Sequence, residues 1–250
     1  MSGHSKWHSI KHKKAAIDAK RGKIFNKIIK ELTVAARIGG GNPEDNARLR
    51  LIIQKAKSVN MPAANIEKAI KRGTGELEGV SYEEAVYEGY GPGGTAVMIE
   101  TLTDNKNRTT AEIRSIFSKN GGNLGENGCV SWMFTRKGMI TVKSDAVEED
   151  KLFEIVVDAG AEDLKKDDES GMYEITCEPE SLESVKEALD KNNIPTESAE
   201  ITMIPQNLVK IEEPDKAKQM ARLLMTLEDH DDVNAVHTNA DMDSSVFEGL

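Results

Sequence analysis

Four lysines near the amino end of the chain have the spacing of one helix face. They are Lys20, Lys23, Lys27 and Lys30. Residues three or four positions apart lie above one another on a helix, so these four ammonium groups would form one stripe. A stripe of cations with no carboxylates between them is typical of proteins that bind phosphate groups, because each bound phosphate releases a condensed counterion. The pattern therefore predicts contact with nucleic acid.

The positive charge of the chain is concentrated at its amino end. Residues 1–72 contain 17 Lys and Arg and 5 Asp and Glu, a net charge of +12, whereas residues 73–250 carry −22. The acidic remainder repels polyanions, so we expect the amino-terminal region alone to bind nucleic acid, mostly through phosphates. An ordinary solvated helix face is the alternative interpretation. The predicted contacts are Lys6, Trp7, Lys11, Lys13, Lys14, Lys20, Arg21, Lys23, Lys27, Lys30, Arg48, Lys55, Lys71 and Arg72.

Residues 1–14 are basic and have no helical or strand period, which predicts a mobile arm. Trp7 in this arm either stacks on a base or folds back on the helices that follow. Three histidines of the arm are spaced by four residues, but no cysteine or carboxylate accompanies them, so we predict no metal site there. They are His4, His8 and His12.

Three amphipathic helices are predicted after the arm. The first begins near Lys20 and ends at the glycines 39–41. The second follows Asn42, as its N-cap, and Pro43, and the third opens at Pro62. These helices predict a small basic bundle over residues 1–75.

After residue 78 the spacing of apolar residues is no longer helical throughout, and strand-like segments alternate with helical ones. Strands are predicted at 85–90, 95–101 and 129–134, with a helix at 107–119. From Gly138 the order is strand, helix, two strands, helix, strand, which is the split βαβ arrangement of ferredoxin-like domains. A helix at 214–228 and a strand at 233–238 then remain without partners. We expect them to complete the earlier sheet.

The predicted fold class is α+β: an amino-terminal three-helix domain followed by two α/β sandwich domains. The third domain, βαββαβ and ferredoxin-like, is inserted in the second. The predicted limits are 1–75 for the basic helical domain with its arm, 78–137 plus 206–242 for the middle domain, and 138–205 for the acidic third domain.

Other candidate sites are fewer. Asn105, Asn107 and Arg108 follow a predicted strand and form either a functional loop or the start of the next helix. The glycine-rich segments predict turns and not a phosphate cradle. His230 lies among carboxylates, which favours a solvated acidic helix end over a metal site. Cys129 and Cys177 stand far apart and outside any CxxC pattern, which indicates reduced core cysteines.

No catalytic motif, signal peptide or membrane span is evident in the sequence, so we predict a cytoplasmic protein that is not an enzyme and has no cofactor. An enzyme with an acidic cleft is a weaker alternative. No membrane partner is expected. The oligomeric state stays open, and a monomer is compatible with the sequence.

Several segments resemble the YebC family. They are Gly3–Trp7, His12–Lys14, Asp18–Lys23, Asn60–Pro62, Asn65–Lys71, Tyr87–Gly94, Thr103–Thr109 and Gly121–Gly125. The resemblance implies three domains with the helical one first. It also implies a cytoplasmic regulator that binds DNA at promoters or acts on the translating ribosome, as does a mitochondrial relative that activates translation of a cytochrome oxidase subunit.

The leading hypothesis is therefore a DNA-binding transcriptional regulator. The alternative is a ribosome-associated translation factor that uses the same basic region on ribosomal RNA, with the loops around Arg108 and the Gly91–Gly94 turn near a functional centre.

Overall fold

The computed structural model describes residues 21–168 and 170–247, without the side chains of Arg21 and Ser244. Its helices are α1 (Arg21–Gly39), α2 (Ala47–Ser58), α3 (Ala63–Gly73), α4 (Lys106–Lys119), α5 (Glu149–Asp158), α6 (Leu182–Lys191) and α7 (Pro214–Asp229). Its strands are β1 (Glu83–Gly91), β2 (Thr95–Thr103), β3 (Asn123–Leu124), β4 (Phe134–Lys143), β5 (Ala161–Asp167), β6 (Met172–Cys177), β7 (Thr196–Pro205), β8 (Val209–Lys210), β9 (Val233–Thr238) and β10 (Ala240–Asp241).

The first three helices pack around one apolar core. Ile28 and Leu32 of α1, Leu49 of α2 and Ile66 of α3 are buried together, as the helical period predicts. The predicted start of α2 at Asn42 is wrong. The N-cap is Asn46, whose side chain accepts from the Leu49 backbone N–H at 3.0 Å.

Asn46 replaces Asn42 as the cap because its buried side chain forms hydrogen bonds with backbone groups at the end of α1 and at the start of α2. Its amide nitrogen donates to the carbonyl oxygens of Ala35 at 2.9 Å and of Gly40 at 2.8 Å. Both carbonyls lie at the carboxyl end of α1. One side chain therefore closes α1 and opens α2.

The middle sheet has the strand order β3-β1-β2-β9, with every neighbouring pair antiparallel. The chain thus returns after the third domain, as predicted, to add β9 beside β2. Helices α4 and α7 cover one face of this sheet, and their apolar side chains share its core with Val97 and Ile99.

The third domain has the order β5-β6-β4-β7, all antiparallel, with α5 and α6 packed on one face. This is the predicted ferredoxin-like arrangement, and the α+β fold class is confirmed. The exact domain limits stay a prediction. The parallel pair of β8 and β10 was not predicted.

The strand predicted at 129–134 is wrong. Residues Ser131–Met133 form a 3₁₀ turn, and β4 begins only at Phe134. The backbone N–H groups of Val130 and Ser131 donate to the carboxylate of Glu88, so they are not available for a strand ladder.

Candidate nucleic-acid interface

The lysines of α1 contact the carboxyl end of α7. Lys23 Nζ lies 2.9 Å from Asp229 Oδ2, and Lys27 Nζ donates to the Glu228 carbonyl oxygen at 2.6 Å. Both acceptors belong to the last turn of α7, where the helix dipole and the free carbonyl groups attract cations. These two lysines therefore hold the helical domain on the middle domain.

Lys30 lies deeper in the same contact, with 14% of its side chain exposed. Its ammonium group is 2.7 Å from Asp232 Oδ1, donates to the Asp231 carbonyl oxygen at 3.0 Å and stands 5.3 Å from the centroid of the Tyr82 ring. Withdrawing Lys30 would leave a buried carboxylate without its cation. The prediction that these lysines form an open cationic stripe is corrected for this reason: Lys23, Lys27 and Lys30 are bound to the protein itself.

Asp232 is the centre of this contact. Its carboxylate, 5% exposed, also accepts from Arg108 Nη2 at 2.7 Å and from Thr109 Oγ1 at 2.8 Å. Burial alone would raise the pKa of Asp232, but the hydrogen bonds from Lys30, Arg108 and Thr109 outweigh it and hold the pKa well below its usual range. Asp232 is therefore charged at neutral pH and paired with two cations.

The predicted loop of Asn105, Asn107 and Arg108 has a structural role at two of its three positions. Asn105 is the N-cap of α4 and accepts from the Arg108 backbone N–H at 3.1 Å. Arg108 binds Asp232 and Asp104, and the hydrogen bond to Asp232 raises the pKa of its guanidinium. Asn107 is exposed in the first turn of α4.

Three other predicted contacts form ion pairs on the protein surface. The pairs are Arg48 with Glu84 at 2.5 Å, Lys55 with Glu31 at 2.8 Å, and Lys71 with Glu67 at 2.6 Å. Glu31 is buried, so Lys55 is tied to its partner, whereas both members of the other two pairs are exposed. The aliphatic part of Arg72 lies beside Gly79.

Two further exposed lysines stand out in the helical domain. Lys57 lies in the last turn of α2 and Lys68 lies within α3, and no carboxylate within residues 21–168 and 170–247 is close enough to pair with either. Their exposed positions off the apolar period were visible in the sequence. What the sequence did not show is that the α1 lysines are engaged elsewhere.

The remaining predicted contacts lie outside the described residues. They are Lys6, Trp7, Lys11, Lys13, Lys14 and Lys20, together with the side chain of Arg21.

One group of metal-ligating residues occurs beside the α1–α7 contact. Glu112, His230 and Asp232 bring one ligand atom each to within 4.8 Å of one another. Each is already engaged: His230 Nε2 is 2.9 Å from Glu112 Oε2, its Nδ1 accepts from the Asp232 N–H at 3.1 Å, and Asp232 has its two cations. Contacts within the protein therefore account for this cluster.

The glycine-rich segments form turns, as predicted. Pro92–Gly94 is one 3₁₀ turn, in which Gly93 and Gly94 have φ of 78° and 75°, and Thr95 Oγ1 donates to the Pro92 carbonyl at 3.1 Å.

The loop after β3 is ordered by a residue that the sequence analysis did not identify. Glu88, 5% exposed, accepts backbone N–H groups from Gly128, Val130 and Ser131 at 2.7–2.8 Å.

Across the part of the chain that the structure describes, the helices are too short or too polar for any of them to span a bilayer.

Two family models together match most of the chain. Residues 5–76 match the model described as "TACO1/YebC protein N-terminal domain", and residues 82–240 match the one described as "TACO1/YebC second and third domain".

Whole-chain relatives agree with these matches. The chain is 58% identical over 248 residues to a protein of Persephonella marina, covering 99% of each chain, and 57% identical over 250 residues to one of Geobacter sulfurreducens, covering 100% of each. Both relatives bear the name probable transcriptional regulatory protein. The crystal structure of a conserved hypothetical protein from Aquifex aeolicus is 49% identical and superimposes with a TM-score of 0.84, covering 92% of this chain and 93% of that one.

Proposed function

The chain belongs to the TACO1/YebC family, and on this premise we propose that it is a non-enzymatic regulator of gene expression that binds DNA. Its relatives from Persephonella marina and Geobacter sulfurreducens are named probable transcriptional regulatory proteins. The observation that carries the DNA-binding part is the net charge of +12 on residues 1–72 against −22 on the rest of the chain.

The proposed contact surface is α2 and α3 together with the basic residues before α1. Lys57 and Lys68 are exposed there without a carboxylate partner among the described residues. Arg48 and Lys71 add two cations whose ion pairs are exposed and therefore weak, so a phosphate group replaces the glutamate at little cost. Lys27 and Lys30, in this proposal, fix the orientation of the domain and do not touch DNA.

Ribosomal RNA is the second candidate ligand, and one observation favours it. The middle domain exposes the aromatic rings of Tyr90 and Trp132. Duplex DNA keeps its bases stacked and paired, whereas RNA loops present unpaired bases that stack on such rings. A translation factor that binds ribosomal RNA would use both the cations of the helical domain and these rings.

Reversing the charge of the two unpaired lysines tests the contact surface. We expect the double variant Lys57→Glu with Lys68→Glu to bind a 30-base-pair DNA duplex at least about tenfold more weakly at 0.1 M salt, because each lysine neutralises a phosphate. The slope of log affinity against log salt should fall by about 2 in magnitude. Fluorescence anisotropy with labelled duplex measures both quantities.

The matched control reverses two exposed lysines of the third domain, Lys151 and Lys191. This control changes the net charge equally and should bind as the wild type does. Equal losses in both double variants would mean that overall charge, and not this surface, determines binding. Repeating the titration with a ribosomal RNA fragment, and with DNA of two sequences, separates the two candidate ligands, since a promoter regulator discriminates between sequences.

A further inference from the structure

Helix α2 of the helical domain contacts α6 of the third domain. Arg50 Nη2 lies 2.5 Å from Glu183 Oε2 in the first turn of α6. One turn further along both helices, the ammonium group of Lys186 donates to the side-chain oxygen of Gln54. Leu51 packs against the apolar core of the third domain. The helical domain therefore contacts both other domains, through α1 with α7 and through α2 with α6.

The face of α2 that contacts α6 continues into the proposed phosphate-binding surface. Arg50, Gln54 and Lys57 are separated by four and three residues, so they lie along one face of the helix. Every charged side chain of α2 is a cation, and Lys57 is exposed. The third domain thus lies at one end of the surface to which we assign the nucleic acid.

The third domain presents negative charge at this contact. Residues 138–205 contain 6 Lys and Arg and 19 Asp and Glu, a net charge of −13. On α6, Glu183, Glu187 and Asp190 are exposed and separated by four and three residues, so they form one row of carboxylates. Charges closer than a Debye length, about 10 Å at 0.1 M salt, act on one another. A phosphate group that approaches Arg50 is therefore repelled by this row.

The α2–α6 contact is more open to solvent than the α1–α7 contact. The side chains of Arg50 and Glu183 are 28% and 47% exposed, whereas Asp232, at the centre of the α1–α7 contact, is 5% exposed. Exposed ion pairs contribute little to stability, and relative motion is the ordinary behaviour of domains joined by a small polar contact. Separating α2 from α6 therefore costs less than separating α1 from α7.

We propose that the third domain is autoinhibitory: α6 competes with nucleic acid for the basic face of α2, and tight binding requires the two helices to separate. The inference rests on the proposed function and gives the acidic domain a role in it. When the helices separate, a phosphate group replaces the Glu183 carboxylate on Arg50, and the counterions that the phosphates release offset the lost contact.

Holding the two helices together tests the proposal. In a Cys129→Ser background, where Cys177 is buried, Gln54→Cys and Lys186→Cys are joined by a bismaleimide that contains a disulfide. We expect the joined protein to bind a 30-base-pair DNA duplex at least about tenfold more weakly than the same protein after dithiothreitol has cleaved the linker, because only the separated form binds tightly. Fluorescence anisotropy measures both affinities. The single variant Gln54→Cys, treated with the same reagents, should show no such change.

Removing the carboxylates of α6 should have the opposite effect. We expect Glu183→Gln with Glu187→Gln to bind the duplex about fivefold more tightly, since the variant loses the pair with Arg50 and the repulsion of phosphate. The matched control is Glu154→Gln with Asp158→Asn on α5, which removes two exposed carboxylates of the same domain. The control should stay within about twofold of the wild type.

Autoinhibition by α6 is overturned if the joined protein binds the duplex as tightly as the cleaved one. Equal gains in affinity in both charge variants would also overturn it, because the net charge of the domain would then explain the effect. In both cases the Lys57 and Lys68 variants still report on the proposed function, since they are measured without the linker. If the wild type and the cleaved protein both fail to bind the duplex, the proposed function fails as well.

Discussion

Replacing Asp232 with alanine should lower the free energy of unfolding by about 3–5 kcal/mol, because it removes the anion from a buried group of charges. Lys30, whose side chain is 14% exposed, would then lose the carboxylate that lies 2.7 Å from its ammonium group. Arg108 and Thr109 would each lose their hydrogen bond to the same carboxylate. Urea unfolding followed by circular dichroism measures the change.

Asp231→Ala is the matched control, since this neighbouring residue is exposed and meets Lys30 only through its backbone carbonyl. We expect it to stay within about 0.5 kcal/mol of the wild type. A double-mutant cycle with Lys30→Met and Asp232→Leu then measures the interaction energy of the pair. The double variant should lose much less unfolding free energy than the two single variants lose in sum. Equal stability of Asp231→Ala and Asp232→Ala would contradict the buried ion pair.

The sequence predicts the fold of this chain better than its site. Apolar periods are local, so Ile28 and Leu32 mark the buried face of α1, and the βαββαβ order follows from the alternation of periods after Gly138. The return of β9 to β2 was predictable because one helix and one strand cannot bury a core by themselves.

The fate of the α1 lysines was not predictable by the same means. Lys30 and Asp232 are separated by 202 positions in the chain, and no local pattern states that they meet. Charge spacing locates the stripe on a helix face but does not show what packs against that face. The acidic segment that ends α7 was visible, yet its contact with α1 depends on the packing of two domains.

The Glu88 carboxylate escaped prediction for a related reason. It lies on β1 between Tyr87 and Gly89, where an acidic residue in a strand is ordinarily exposed. Its burial depends on a loop some 40 residues later that turns its backbone N–H groups toward it. Glycines at 125 and 128 signalled a turn there, but not the residue around which the turn is built.

Glu88→Ala is the second substitution with a large expected effect, about 3 kcal/mol of unfolding free energy. It leaves three backbone N–H groups, at Gly128, Val130 and Ser131, without their acceptor, and an unsatisfied buried donor costs about 1–3 kcal/mol. Val130 is fully buried, so water does not replace the carboxylate there. The same variant should lower the anisotropy of Trp132 fluorescence in a Trp7→Phe background, where Trp132 is the single tryptophan, because the loop that holds the indole becomes loose.

Glu126 is an exposed residue of the same loop, so Glu126→Ala should leave stability and anisotropy unchanged.

The pH dependence of stability gives an independent check on Glu88. Burial alone would raise its pKa, but the backbone hydrogen bonds outweigh burial and lower the pKa below its usual value. A lowered folded-state pKa contributes stability that is present above the unfolded value, about 4.3, and is lost as pH falls through the folded one. The difference in unfolding free energy between the wild type and Glu88→Gln should therefore be largest at pH 7 and shrink on acidification. A difference that grows at low pH would mean that the folded protein favours the protonated acid instead.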